Sequence, residues 1–234
     1  MKEIEEQYKK VDCIVAVSDS CKKQFCSCLP HLTSSVVIIE NILPVNYVEA
    51  EAKAYSPVEM EKNGGIRLLS IGRYCFQKNF DNVPEICKHL VNKGLDVCWY
   101  IIGFGSDEEL IRNKIKEFDM EERVILLGKK ENPYPYIKNC DLYVQPSRYE
   151  GKCVAVREAQ MLGKPVVITD YPTSKSQLED GVDGIIVPME NQLCADGIAE
   201  LLNDSEKMNE LSANCKKRDY SNSSEVEKIY QLMG

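Results

Sequence analysis

The chain has 234 residues, 44% hydrophobic and 28% charged, with a formal net charge of −8; that size and balance suit one globular domain or one and a half. The acidic surplus argues against nucleic acid or an anionic membrane as general partners, because both select a basic face, so an anionic ligand must be held by a local cluster of donors. No apolar run approaches the ~20 residues that span a bilayer, and the start MKEIEEQYKK is too charged for a signal peptide.

In chain order, VDCIVAVS and SSVVIIEN read as two strands, separated by a short helix over residues 19–29. Cys21, Cys26, Cys28 and His31 cluster there, but no second cysteine pair stands at zinc-site spacing, so no metal is expected. Eleven cysteines in a chain too large to need staples point to reduced thiols and a cytoplasmic setting. LPVNYVEAEAKAYSPVEMEKNGG, rich in Glu, Ala, Pro and Gly, reads as a connector. From Ile66 onward, the strand-length apolar runs IRLLSIG, DVCWYIIG, RVILLG, DLYVQPS, KPVVIT and GIIVP alternate with the helix-like stretches FDNVPEICKHLVNKG, SDEELIRNKIKEF, PYPYIKNC, CVAVREAQMLG and TSKSQLED. Near-continuous apolar strands separated by amphipathic helices are the pattern of an α/β, doubly wound parallel sheet of Rossmann-like type. Ser106 and Glu109 form a capping-box signature, and Gly94 and Gly163 sit where helix-ending glycines belong. After Pro188 come helical stretches without strands. The resulting division is 1–48, a connector at 49–65, the sheet domain at 66–188 and C-terminal helices at 189–234.

Doubly wound sheets bind ligands beyond the carboxyl ends of their strands. The residues expected there are Gly72, Arg73 and Lys78; Gly103 and Gly105; Gly128 and Lys129; and Ser147 to Lys152. Each of these turns holds a glycine, a base or both, which suits an anion with several phosphates lying against backbone amides and helix N-termini. Gly103-Phe104-Gly105 lacks the third glycine of a dinucleotide fingerprint, Glu108 standing in its place, and no Gly-Lys-Ser/Thr phosphate loop occurs, so NAD, FAD and ATP hydrolysis are disfavoured. Arg73 offers a planar fork and Lys78 a point charge, a pair suited to a diphosphate. His31 and His89 lie outside these loops, and neither is a candidate general base.

The block Pro146-Ser147-Arg148-Tyr149-Glu150-Gly151, followed by Glu158-Ala159 and Gly163-Lys164-Pro165-Val166, resembles the donor-binding signature of retaining family-4 glycosyltransferases of the GT-B fold. The Gly72-Arg73 to Gln77-Lys78 turn is similar to that family's diphosphate loop, and Gly103-Phe104-Gly105 to its second glycine turn. VDCIVAVS and the IEN before the connector resemble the tail of the family's N-terminal acceptor domain and the crossover from it. The resemblance covers almost the whole chain.

It implies that Arg73 and Lys78 bind a donor diphosphate and stabilise the leaving group. Glu150, facing the sugar hydroxyls, completes the catalytic group. Glu158 accepts from the ribose hydroxyls, and Gly151, Lys152, Cys153 and Val154 meet the phosphates at a helix N-terminus. A carboxylate only accepts, which suits diols, while bases and helix dipole suit the anion. Lys152 and Cys153 depart from the aromatic residue and glycine that many members carry; the Glu-Gly-Lys version is similar to transferases that build bacterial capsule or other surface polysaccharides.

The implied partners are a nucleotide sugar, with UDP favoured, and a glycan or lipid-linked glycan acceptor; no metal or other cofactor is implied. A GT-B enzyme has two such domains, so an acceptor half of about 150 residues, with any peripheral membrane contact at the inner face, is expected outside this chain, which alone would be inactive. A nucleotide-sugar epimerase of similar build and a non-catalytic nucleotide-sugar-binding module are the competing readings. Cys153 follows Lys152 at a helix start, so its thiol is expected to be acidified and quick to alkylate, unless Val154 and Val156 bury it.

Overall fold

The computed structural model describes residues 2–8, 10–61 and 65–234, and these divide into two units, 1–44 with 221–234, and 45–220. In the first unit, α1 (Lys2–Tyr8) precedes β1 (Ile14–Ala16), α2 (Asp19–Cys28) and β2 (Val36–Ile38). Ser18 starts α2 by accepting from the Cys21 amide at 3.1 Å, one of the amides a helix start leaves without a partner. β1 and β2 pair in parallel, with Ile14 opposite Val36.

The second unit runs α3 (Val45–Glu51), β3 (Ile66–Ile71), α4 (Val83–Asn92), β4 (Val97–Ile102), α5 (Glu108–Glu117), β5 (Val124–Gly128), α6 (Tyr134–Asn139), β6 (Leu142–Gln145), α7 (Val154–Met161), β7 (Val166–Thr169), α8 (Ser174–Gln177), β8 (Ile185–Val187), α9 (Asn191–Asn203) and α10 (Ser205–Lys217). Its six strands form one parallel sheet in the order β5-β4-β3-β6-β7-β8, as the apolar runs require. Successive strand residues point to opposite faces, so neighbours feed different cores. Leu68, Trp99 and Val144 pack with Val83, Ile86 and Leu90 of α4 and with Ile198 of α9. Leu69, Tyr100 and Tyr143 pack on the other face with Ile137 of α6 and Val156 of α7. Every residue of β4 is buried, so its hydrophobicity shows no alternation. Gly94 and Gly163 take φ of 82° and 69° just after α4 and α7, the left-handed conformation that ends a helix at little cost to glycine.

Three sequence expectations need correction. No capping box forms: α5 begins at Glu108 with Asp107 as N-cap, and the Ser106 hydroxyl donates to Asp107 Oδ1 at 2.9 Å instead. TSKSQLED yields only the four-residue α8. The division of the chain also differs. α3 and the 3-10 turn Val58–Met60 belong to the sheet unit, with Val48, Ala52 and Met60 buried; residues 62–64 of the connector lie outside the described residues. At the other end, α11 (Glu225–Met233) separates from α9 and α10 and joins the first unit. There Glu225 accepts from the Glu40 amide at 2.9 Å, and Asn222 Oδ1 accepts from the Leu43 amide at 3.0 Å.

Candidate functional site

The winding of the sheet reverses between β3 and β6, and the crevice at such a reversal is where doubly wound sheets take ligands. The loops leaving these two strands, 72–79 and 146–152, are bonded to one another. The Arg148 amide donates to Gln77 O at 2.8 Å, Asn79 Nδ2 to Pro146 O at 2.9 Å, and Gln77 Nε2 to Tyr149 O at 3.0 Å. Arg148 also grips Asp81 with two nitrogens, at 2.9 and 2.7 Å, while its guanidinium lies 4.1 Å from the centroid of the Phe76 ring. Asn79 turns the first loop with φ of 61°, a left-handed conformation that asparagine tolerates better than most side-chain-bearing residues.

Across this double loop stands an ion pair. Lys78 Nζ lies 2.6 Å from Glu150 Oε1, with side-chain exposures of 15% and 6%. Ser147 Oγ donates to the same oxygen at 2.6 Å, and Gln77 Nε2 to Oε2 at 3.2 Å. Behind Ser147 a buried chain continues: Gln145 Nε2 donates to Ser147 Oγ at 2.9 Å, and the Tyr143 hydroxyl to Gln145 Oε1 at 2.8 Å. Burial alone would lower the Lys78 pKa, but Cys153 and Glu150 outweigh it and hold the ammonium above its ordinary range. An ammonium has three donors, so Lys78 can keep Glu150 and still meet an incoming anion.

The glycine turns sit beside this pair. The Gly72 amide donates to Ile102 O at 3.0 Å, the Tyr74 amide to Phe104 O at 2.9 Å, and the Gly103 amide to Gly128 O at 3.0 Å. A Cβ on Gly103 would overlap the Gly72 carbonyl, and one on Gly105 the Tyr74 carbonyl. The two glycines are therefore required by the approach of one turn to the next, whatever they do for a ligand. Gly72, Arg73, Gly103, Phe104, Lys129 and Pro133 help to line a cavity of ≈ 250 Å³ at this end of the sheet, where Arg73 and Lys129 are exposed.

Glu158 sits further along α7 in a different setting. The Tyr134 hydroxyl donates to its Oε1 at 3.0 Å. Burial raises its pKa above the usual carboxylate value, and the Tyr134 hydrogen bond pulls it part of the way back.

At the start of α7, Gly151 and Lys152 are half-buried and Val154 is exposed. The Cys153 amide, expected to face phosphate, donates instead to Gln177 Oε1 at 2.7 Å, and Gln177 Nε2 returns a bond to Cys153 O at 3.2 Å. Of the two outcomes open for Cys153, an acidified thiol or a buried one, the structure gives the second. The side chain is 5% exposed, and burial pushes the thiol up to about 11 although Lys78 pulls the other way. The helix start acts on the sulfur as anticipated, but the lysine that does so is Lys78 and not the adjacent Lys152, and losing water costs the thiolate more.

The structure thus gathers Gly72, Lys78, Ser147 and Glu150 at the switch point, and Arg73, Gly103 and Lys129 at the adjoining cavity. Sequence reasoning missed Asp81, Gln177 and Tyr134. Asn79 carried a usable signal, since an asparagine amid loop residues suits a left-handed turn; Tyr134, 24 residues from Glu158, carried none. Among the described residues, no group of three or more His, Cys, Asp or Glu could hold a metal ion, and no helix is long and apolar enough to cross a membrane.

Known proteins resemble this chain in sequence and in fold. The chain is 27% identical over 158 residues to the amylovoran biosynthesis glycosyltransferase AmsD of Erwinia amylovora, covering 64% of this chain and 44% of that protein. It is 28% identical over 199 residues to the poly(ribitol-phosphate) alpha-N-acetylglucosaminyltransferase of Staphylococcus aureus, covering 83% of this chain and 40% of the relative. A solved structure of a mutant of S. aureus TarM in complex with Fondaparinux, alpha-GlcNAc-glycerol and UDP superposes with a TM-score of 0.80 at 23% identity, over 99% of this chain and 45% of that one. The chain therefore spans somewhat under half the length of these relatives, and its Rossmann-like sheet matches GT-B glycosyltransferase structures. The sequence profile described as "Glycosyl transferases group 1" matches residues 52–218, most of the chain and nearly the whole sheet unit, and the chain belongs to that family of glycosyltransferases.

Proposed function

We propose that this chain is the donor-binding part of a retaining glycosyltransferase that takes a nucleotide diphosphate sugar, with UDP as the nucleotide. The observation that carries the reading is the Lys78–Glu150 pair at the switch point, with Glu158 on the helix that follows. A nucleotide sugar presents a diphosphate anion between two sets of hydroxyls. Lys78 supplies a largely buried cation and Arg73 an exposed fork beside the cavity, and both would stabilise the charge that develops on the departing diphosphate. Glu158 is a desolvated acceptor suited to ribose hydroxyls, and Glu150, fixed by Ser147, Gln77 and Lys78, is read as the residue that faces the sugar. In this reading the leaving phosphate itself helps to deprotonate the acceptor, and no metal or other cofactor is assigned a step.

The acceptor is read as a growing glycan or lipid-linked glycan of a bacterial surface polysaccharide, and the setting as cytoplasmic, at the inner face of the membrane. AmsD, a glycosyltransferase of amylovoran biosynthesis, and the poly(ribitol-phosphate) alpha-N-acetylglucosaminyltransferase support a polymer as acceptor, and the UDP in the TarM complex supports the nucleotide. We assign donor binding, not transfer, to this chain alone. Calorimetry with UDP, GDP and ADP tests the reading: UDP is expected to bind in the micromolar to millimolar range, roughly −8 to −4 kcal/mol. No heat with any nucleoside diphosphate overturns it, and sugar transfer by the chain alone overturns the division of labour.

A further inference from the structure

Residues 129–133, which contribute Lys129, Lys130 and Pro133 to the cavity, lie outside strand and helix, between the end of β5 and the first residue of α6. Their side chains and carbonyls are held by the segment 45–61. The Tyr55 hydroxyl donates to Asn132 O at 2.6 Å. Asn132 Nδ2 donates to Glu51 O at 3.1 Å and to Glu51 Oε2 at 2.8 Å. Lys130 Nζ and the Tyr136 hydroxyl converge on Glu59 Oε1 at 2.8 and 3.0 Å. With its remaining oxygen, Asn132 accepts from the Tyr134 amide at 3.1 Å and so sets the first residue of α6. Tyr134 then carries the connection to Glu158, its ring packed edge-on against Tyr47 of α3 at 6.2 Å between centroids. Val48, Ala52 and Met60, each no more than 2% exposed, anchor the holding segment within the same unit.

We propose that Asn132 is a positioning residue for the nucleoside end of the ligand. It bridges α3 to the start of α6, and thereby fixes the cavity wall at 129–133 and, through Tyr134, the Glu158 carboxylate. The proposal rests on the nucleoside-diphosphate reading above, and makes the segment 45–61 part of the binding machinery. The Lys78–Glu150 pair at the diphosphate end is built separately, by loops 72–79 and 146–152 bonded to each other, and of the two bases there only Arg73 shares the cavity with 129–133, so substitution at Asn132 should spare most of the diphosphate contact.

The test uses the full chain, titrated by calorimetry with UDP and, separately, with inorganic pyrophosphate. Asn132→Ala removes the bonds to Glu51 and to the Tyr134 amide; it is expected to weaken UDP about tenfold and pyrophosphate by no more than about twofold. Tyr134→Phe removes only the hydroxyl on Glu158, and is expected to weaken UDP about threefold with pyrophosphate unchanged. Hydrogen exchange without ligand should rise across 129–137 in Asn132→Ala and stay level across 72–79. Should Asn132→Ala fail to fold, Tyr134→Phe carries the test. Equal losses for the two ligands, or full UDP affinity in Tyr134→Phe and Asn132→Ala, overturn this proposal and leave the functional reading standing. A parent chain that binds pyrophosphate but no nucleoside diphosphate overturns that reading, and this proposal with it.

Discussion

Glu150 and Glu158 lie on one short stretch of chain, yet they occupy opposite electrostatic environments. Glu150 is surrounded by donors: an ammonium at 2.6 Å, a serine hydroxyl at 2.6 Å and an amide at 3.2 Å. Glu158 has a phenol at 3.0 Å and is otherwise disfavoured by burial, which lifts its pKa. A carboxylate already neutralised by a neighbouring cation can fix geometry. One that is desolvated and only partly compensated is a strained acceptor, which polar hydroxyls from outside would relieve. The same residue type thus serves as a strut at one end of the site and as an open acceptor at the other.

The largest expected effect breaks the strut. Glu150→Ala leaves the Lys78 ammonium largely buried without its counter-ion, and removing one partner of a buried pair typically costs about 3 kcal/mol or more. Denaturant unfolding should show a loss of that order, and UDP affinity should fall with it because Lys78 loses its anchor. The sequence-based expectation, with Glu150 concerned only with the sugar, holds that free UDP is spared. A stability loss below about 1 kcal/mol would mean that Lys78 finds water easily and that the pair is no strut.

A smaller and opposite effect sharpens the other half of the comparison. Because the folded pKa of Glu158 is raised, the folded state holds this proton more tightly than the unfolded chain does, so the carboxyl's contribution is favourable at low pH and is lost as pH rises through its folded pKa. Glu158→Gln removes that penalty. The variant should melt higher than the parent at pH 7, with the difference fading as pH falls below the ordinary 4.5 of a glutamic acid, while UDP binds more weakly. Equal melting at pH 7 would contradict the strained acceptor.

The smallest effect concerns Cys153, between the two glutamates. Its burial and its thiol pKa of about 11 predict slow alkylation. Iodoacetamide should label the exposed Cys28 well before Cys153, as read by peptide mass spectrometry, with or without UDP. Rapid labelling of Cys153 would show that the helix start opens readily.

What the sequence by itself determined is local. The apolar runs at 66–72, 96–103, 123–128, 141–147 and 164–169 became strands because they can be buried on both faces, and Gly94 and Gly163 ended helices because glycine enters the left-handed region freely. The loops carrying Arg73, Lys78 and Glu150 could be placed at one end of the sheet, since a parallel sheet puts every strand's carboxyl end on the same side. Tertiary structure decided who touches whom there. Lys78 and Glu150 are 72 residues apart and meet because β3 and β6 are adjacent in the sheet. Asn132 and Glu51 meet because α3 packs against α6, which turned an apparent connector into a support. Cys153 shows the limit most directly: Lys152 and the helix start argued for a thiolate, Val154 and Val156 for burial, and only the fold decided between them. Propensity and periodicity act within a few residues, whereas desolvation and ion pairing depend on which distant segments the fold brings together.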